Sequence, residues 1–231
     1  MHKVDFINKV SQFSKWPTFL LVSISLYMIF IYAPQELIMG DIQRIFYYHV
    51  ASAWVAFFAF FVVFLASIYY LKKRDYISNV LALASAEIGL VFTTIVLITG
   101  PIWAKPVWNA WWTWDPRLTT TLILCFIYLA YILIRLSADN EKTGVLAAVF
   151  GIIAFINVPI VFMSVRWWSS IHPTVVSGGS NSLDIRMIHT LIVSVLAFSF
   201  LYWHILVKRI KLEILSEELR EIKEALKKKR N

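Results

Sequence analysis

Cysteine is nearly absent from this sequence: the one example, Cys125, sits inside an apolar run. An intrachain disulfide is therefore excluded, and with no Cys-x-x-Cys-His motif so is covalent attachment of a c-type haem. Charge is scarce too. Asp, Glu, Lys and Arg make up 16% of the chain, and hydrophobic residues 59%. A soluble domain carries about 25% charged residues, so these proportions point to an integral membrane protein. No small-residue cleavage site follows the first apolar run, which is uncharged from Trp16 to Gln35 behind a basic flank. A cleaved signal peptide is not expected. Acid is scarcer than base, leaving a net charge of +8.

Long apolar runs are abundant. They read as six spans: Trp16–Gln35, Ile45–Leu71, Asn79–Gly100, Leu118–Ile134, Thr143–Val165 and Met187–Val207. Each suits a helix crossing ~30 Å of hydrocarbon. The runs are continuous rather than alternating, which favours helices over a barrel. The expected fold is all-α and polytopic, with Pro17 at the start of the first helix. Six spans put both termini on one side. Of the 22 basic residues, 17 fall in the termini and in the loops on that side, against five opposite. The termini are therefore expected in the cytoplasm, with the excess charge facing anionic lipid and not nucleic acid. On this reading 1–207 is the transmembrane domain and 208–231 a cytoplasmic amphipathic tail. In the tail Leu212, Leu215, Leu219, Ile222 and Leu226 recur at 3, 4, 3, 4. That spacing suits a surface helix continuing the sixth span, or a seam for a partner or a second copy.

Residues 100–120, on the outer side, hold five of the ten tryptophans: Trp103, Trp108, Trp111, Trp112 and Trp114. Pro106 and Pro116 argue against a buried helix here. An aromatic, proline-broken segment of this kind suits the bilayer interface, a partner protein or a planar ligand. Three of the five histidines are also outer: His49, His172 and His189. Two imidazoles from different segments can clamp the axial positions of a haem iron, aromatic rings can stack on its faces, and arginines can pair with its propionates. Arg44 and Arg117 are best placed for that by sequence. Zinc would want further ligands, and neither an outer cysteine nor a histidine pair at helical spacing supplies them. A tryptophan belt with incidental histidines stays open at this point. So do a b-type membrane cytochrome, which would want histidine pairs within spans, and a secondary transporter, which would want broken helices at the midplane. Glu87, about 12 Å inside the third span at 1.5 Å per residue, would line a haem path or pair with Ser85 and Thr93.

The stretch from Gly100 to Thr119, with its Trp-Asp-Pro-Arg-Leu-Thr core, resembles the tryptophan-rich signature of haem-handling proteins. It is most similar to the CcmC family, haem exporter protein C of the cytochrome c maturation system. Arg44-Ile-Phe-Tyr-Tyr-His49-Val and Ser164-Val-Arg-Trp-Trp-Ser-Ser-Ile-His172 extend the resemblance over nearly the whole chain. The resemblance implies a bacterial inner-membrane protein without enzymatic activity. It would bind non-covalent haem b on the outer (periplasmic) face and deliver it to a membrane-anchored haem chaperone, component E. Small component D and the transporter pair A and B would be partners. His49 and His172 would be the axial ligands, and His189 not. Trp103, Trp108, Trp111, Trp112, Trp114, Asp115, Arg117 and Arg44 would complete the haem site. Asn109 departs from the family pattern where a glycine is usual. Arg166 departs where an acid often precedes the Trp-Trp pair, and adds a further propionate partner.

Overall fold

A computed structural model describes residues 2–36, 39–137, 141–172 and 184–230. Seven α-helices carry these residues: α1 (His2–Tyr27, followed by a π-helical turn Met28–Tyr32), α2 (Gln43–Lys73), α3 (Tyr76–Trp108), α4 (Pro116–Ser137), α5 (Glu141–Ala154), α6 (Asn157–Trp167) and α7 (Ile185–Arg230). With α5 and α6 taken as one broken span, six segments are long and apolar enough to cross a membrane. The fold is all-α and multi-pass, as the apolar runs required.

α2 and α3 form the central pair, and small residues let them approach. A Cβ placed on Gly89 of α3 would lie 2.6 Å from Phe60 Cε1 of α2, so any side chain there would force the Phe60 ring to move. Across the bundle, Gly144 and Gly151 of α5 pack on Tyr70 and Ser67 of α2 in the same way. In lipid there is no water to drive helices together, so close backbone approach carries much of the association. Phe60 stacks on Tyr128 of α4 with centroids 3.5 Å apart, both side chains fully buried. The α2–α3 turn is tight: Arg74 takes a left-handed φ of 53°, and the Asp75 carboxylate caps α3 by accepting Ser78 N–H at 2.9 Å.

Four expectations need correction. Pro17 does not begin the first helix, because α1 already runs from His2. Contacts with α7 hold the helix on both sides of the proline: Ser14 Oγ lies 2.8 Å from His204 Nδ1, and Thr18 Oγ1 lies 3.3 Å from the Phe200 carbonyl oxygen. The fifth span is two helices rather than one. Pro159 has no N–H for the Phe155 carbonyl, which accepts Val158 N–H instead, and Asn157 Nδ2 fastens the break to the Thr120 carbonyl of α4 at 3.1 Å. The third span does not stop at Gly100. α3 passes through Pro101 and Pro106 to Trp108, so the first part of the tryptophan segment is helical. Prolines near a membrane helix end are tolerated where neighbouring groups satisfy the freed carbonyls. Finally, Glu87 pairs with neither Ser85 nor Thr93. Both of its oxygens accept from Arg209 of α7, at 2.6 and 3.0 Å, and Arg209 also binds Glu213. Ser85 instead bonds Tyr202 and the Ala59 carbonyl, and Thr93 the Gly89 carbonyl.

α7 continues unbroken from the sixth span into the tail, and Leu212, Leu219, Ile222 and Leu226 are exposed along it. The end of the bundle that carries the start of α1 and the end of α7 is opposite the end that carries His49 and the tryptophan segment. Residues 173–183, between α6 and α7, lie outside the described residues.

Candidate functional site

The site is built at one end of the bundle from five segments. The start of α2 brings His49 and the end of α3 brings Trp103 and Trp108. The start of α4 contributes Arg117 and the end of α6 Arg166, and the irregular stretch after α6 carries His172. Residues 168–172 are not helical, so His172 needs another anchor.

Asp115 supplies it. This carboxylate is buried, at 8% exposure. Oδ1 accepts Arg117 N–H at 2.9 Å, capping α4, where Pro116 occupies the first helical position. Oδ2 accepts Ile171 N–H at 2.9 Å. One side chain thus joins the tryptophan segment to the residue before His172. Ser170 Oγ accepts His172 N–H at 3.1 Å, and Trp108 meets the His172 ring edge-on at 6.4 Å between centroids. Trp108 in turn packs edge-on against Trp103 at 5.5 Å.

A cavity of about 310 Å³ opens beneath this end, between α2, α3, α4, α6 and α7. Val50, Ala53, Phe57, Val96, Leu97, Leu124, Val161 and Phe162 give it apolar walls. His49, His172, Arg117 and Arg166 are the groups on its lining that can carry positive charge. A smaller cavity of about 40 Å³ adjoins it and shares His49, Val50, Leu118 and His172, with Trp103 and Trp108 on its far wall. The two histidines therefore stand where the cavities meet. His49 is held from behind: its Nδ1 lies 2.9 Å from Thr99 Oγ1. Arg117 donates to the Phe162 carbonyl at 3.1 Å, while its Nε is buried without a hydrogen-bond partner. Trp103 Nε1 is likewise buried and unpartnered. A buried donor with no acceptor costs about 1–3 kcal/mol, a cost that an acceptor atom placed beside Arg117 Nε or Trp103 Nε1 would relieve. Among the described residues neither Arg117 nor Arg166 forms an ion pair. Arg166 lies over the Phe162 ring at 5.3 Å.

The other expected site residues stand elsewhere. Arg44 is engaged with its neighbours: Nε donates to Asp41 at 2.9 Å, another nitrogen donates to the Ile29 carbonyl, and the guanidinium lies over Phe30. Hydrogen bonds from Arg44, and then from Gln35, hold the Asp41 carboxyl below its ordinary range. Trp111 and Trp114 are exposed, at 60% and 76%, and line neither cavity, nor does Trp112, which packs edge-on against Trp114. His189 is exposed on α7, its Nδ1 3.4 Å from Tyr32 Oη. Asn109 shows why a glycine is usual at its position: its φ of 54° is left-handed and ends α3. Asparagine is among the few other residues that accept that region, and Lys105 Nζ binds both of its oxygens.

Sequence reasoning missed the cavity itself, Thr99, and the bridging role of Asp115. The cavity depends on how five helices meet. Thr99 gave a faint signal as a polar residue one position before Gly100.

The sequence profile of the family described as Heme exporter protein C matches residues 2–225. The chain is 35% identical over 208 residues to the Heme exporter protein C of Bradyrhizobium diazoefficiens, covering 89% of this chain and 79% of that one. The protein of that name from Haemophilus influenzae is 30% identical over 214 residues, with 91% and 87% covered. The one from Rhodobacter capsulatus is 32% identical over 206 residues, with 84% and 82% covered.

Proposed function

The chain belongs to the haem exporter protein C family, and from that premise we propose that it binds haem at the histidine end of its bundle and passes it on for c-type cytochrome assembly. Its role lies in haem export for cytochrome maturation. The observation that carries the finer reading is that His49 and His172 together line an apolar cavity that Arg117 and Arg166 also line. Haem is a planar apolar ring with an iron that takes axial imidazoles and two carboxylates on one edge. The walls, the two imidazoles and the two guanidiniums each match one part of it. The cavity volume is at the low end of the ~300–1,000 Å³ usual for small-molecule sites.

Haem here is cargo. The chain's residues hold it: His49 and His172 would supply nitrogen lone pairs to the iron, Arg117 and Arg166 would bind the propionates bidentately, and Trp103 and Trp108 would close the site to water. The exposed Trp111 and Trp114 then form the surface beside the site on which a receiver docks. That receiver is the membrane-anchored haem chaperone, component E, working with component D and the A and B transporter pair. The distribution of basic residues supports placing this end outside, with the termini in the cytoplasm of a bacterial inner membrane. No bond is made or broken in the organic cargo, so the protein acts as a carrier rather than an enzyme.

The experiment is a hemin titration of the detergent-purified protein, read at the Soret band. Saturable binding with a six-coordinate spectrum is expected, and the double variant His49→Ala, His172→Ala should lose it. Haem retention by the double variant, or no Soret shift in the parent protein, would overturn the reading.

A further inference from the structure

We propose that Thr99 is a positioning residue that fixes the tautomer of His49, so that the lone pair on Nε2 is the one left free. Its consequence for the cargo rests on the haem-binding reading; the hydrogen-bond chemistry does not.

Thr99 Oγ1 lies 2.7 Å from the Ile95 carbonyl oxygen and 2.9 Å from His49 Nδ1. A carbonyl only accepts, so in the first contact the hydroxyl donates its one proton. Oγ1 then has only lone pairs to offer the imidazole. The second contact is a hydrogen bond only if Nδ1 carries the proton and donates it. A neutral imidazole has a single N–H, so Nε2 bears the lone pair. Among the described residues nothing hydrogen-bonds Nε2. Rotating the ring by half a turn would trade Nδ1 for a carbon at Thr99 and forfeit the bond.

The backbone of α3 reinforces this. A Cβ on Gly100, the residue after Thr99, would come within 3.4 Å of His49 Cε1. The imidazole edge therefore lies close against the glycine, with Thr99 beside it. Two consecutive residues of α3 thus set how the ring sits and which nitrogen is free. Groups that hydrogen-bond the far nitrogen of a metal-binding histidine typically change metal affinity 10–100-fold when removed.

Two measurements test this, the first without haem. In apo-protein labelled with ¹⁵N-histidine, and with the His49 signals assigned by their loss in His49→Gln, Nδ1 should be protonated and Nε2 not. The opposite pattern, or an even mixture, would overturn the proposal whether or not hemin binds. In the second, Thr99→Val should raise the hemin dissociation constant about 10- to 100-fold, while Thr99→Ser, which keeps the hydroxyl, stays near the parent value. Equal affinity in Thr99→Val and parent, with His49→Ala impaired, would overturn the proposal while leaving the haem reading intact. Hemin binding that is untouched by His49→Ala would sink the ligand assignment instead, and the nitrogen signals would still decide the tautomer.

Discussion

Asp115 and Ile171 are 56 residues apart in sequence, yet the Asp115 carboxylate accepts the Ile171 N–H at 2.9 Å. This bond makes the tryptophan segment and the His172 segment one unit. The same carboxylate caps α4, whose first turn carries Arg117. Asp115 therefore ties down both the segment that ends in His172 and the helix start that carries Arg117, without lining either cavity.

Replacing it with alanine should free the His172 segment and uncap α4. We expect Asp115→Ala to lower hemin affinity about 10-fold or more, on the scale of lost supporting contacts at metal sites, and to cost about 1 kcal/mol of stability from the cap. In a background already carrying His172→Ala, the affinity loss should largely vanish, because residues acting as a unit are not additive. Additive losses would mean that Asp115 works through something other than His172.

Arg117 and Arg166 predict a dependence on the cargo's carboxylates. Hydrogen bonds to charged groups contribute about 1.5–3 kcal/mol, so each arginine-to-alanine change should weaken hemin binding by roughly 10- to 100-fold. The same changes should hardly alter binding of the dimethyl ester of haem, which has no carboxylates to pair. Parallel titrations with the two compounds check this. Equal losses for acid and ester would place the arginines away from the propionates.

The membrane fold was legible because its signal is redundant. Six apolar runs and a one-sided basic distribution agree with each other, and a few misplaced boundaries do not disturb them. That His49 and His172 share a cavity, and His189 does not, was anticipated only through the resemblance, since neither spacing nor composition separates His172 from His189. What lay out of reach was set by packing between distant segments. Arg209 was counted as part of a solvated tail because only the geometry of α7 beside α3 brings it to Glu87. Pro106 read as a helix breaker because local propensity knows nothing of the helices that support α3. The tryptophans divided in two for the same reason. Trp103 and Trp108 ride on the last turns of α3 and face the small cavity, whereas Trp111 and Trp114 lie beyond the Asn109 cap and stay exposed.

The Glu87–Arg209 pair predicts a stability defect separable from haem binding. Both side chains are partly buried, at 31% and 25% exposure. Arg209→Ala leaves the carboxylate without its partner, and we expect a loss of about 1–3 kcal/mol, below the 3–5 kcal/mol seen for fully buried pairs. Thermal unfolding in detergent should register it. Hemin affinity should not change, since the pair sits at the other end of the bundle. The double variant Glu87→Gln, Arg209→Met removes both charges and should recover part of the loss. Failure to recover any would show that Arg209 acts through Glu213 rather than Glu87.

Asn109 offers a test of backbone rather than side-chain chemistry. Its φ of 54° is costly for most residues, by roughly 1–2 kcal/mol, and free for glycine. Asn109→Gly should therefore keep the fold, losing only the Lys105 contacts to the side chain. Asn109→Val should destabilise by about 1–2 kcal/mol or shift the chain beyond α3. A shift there would move Trp111, Trp112 and Trp114 relative to Trp108, so tryptophan fluorescence of the apo-protein should report it. If haem transfer to the receiving chaperone uses the exposed tryptophans, Asn109→Val should slow transfer more than it weakens binding, because His49 and Trp103 lie on the near side of the cap. A stopped-flow comparison of transfer rate with equilibrium affinity separates the two. Equal loss in both would place the far tryptophans in binding itself.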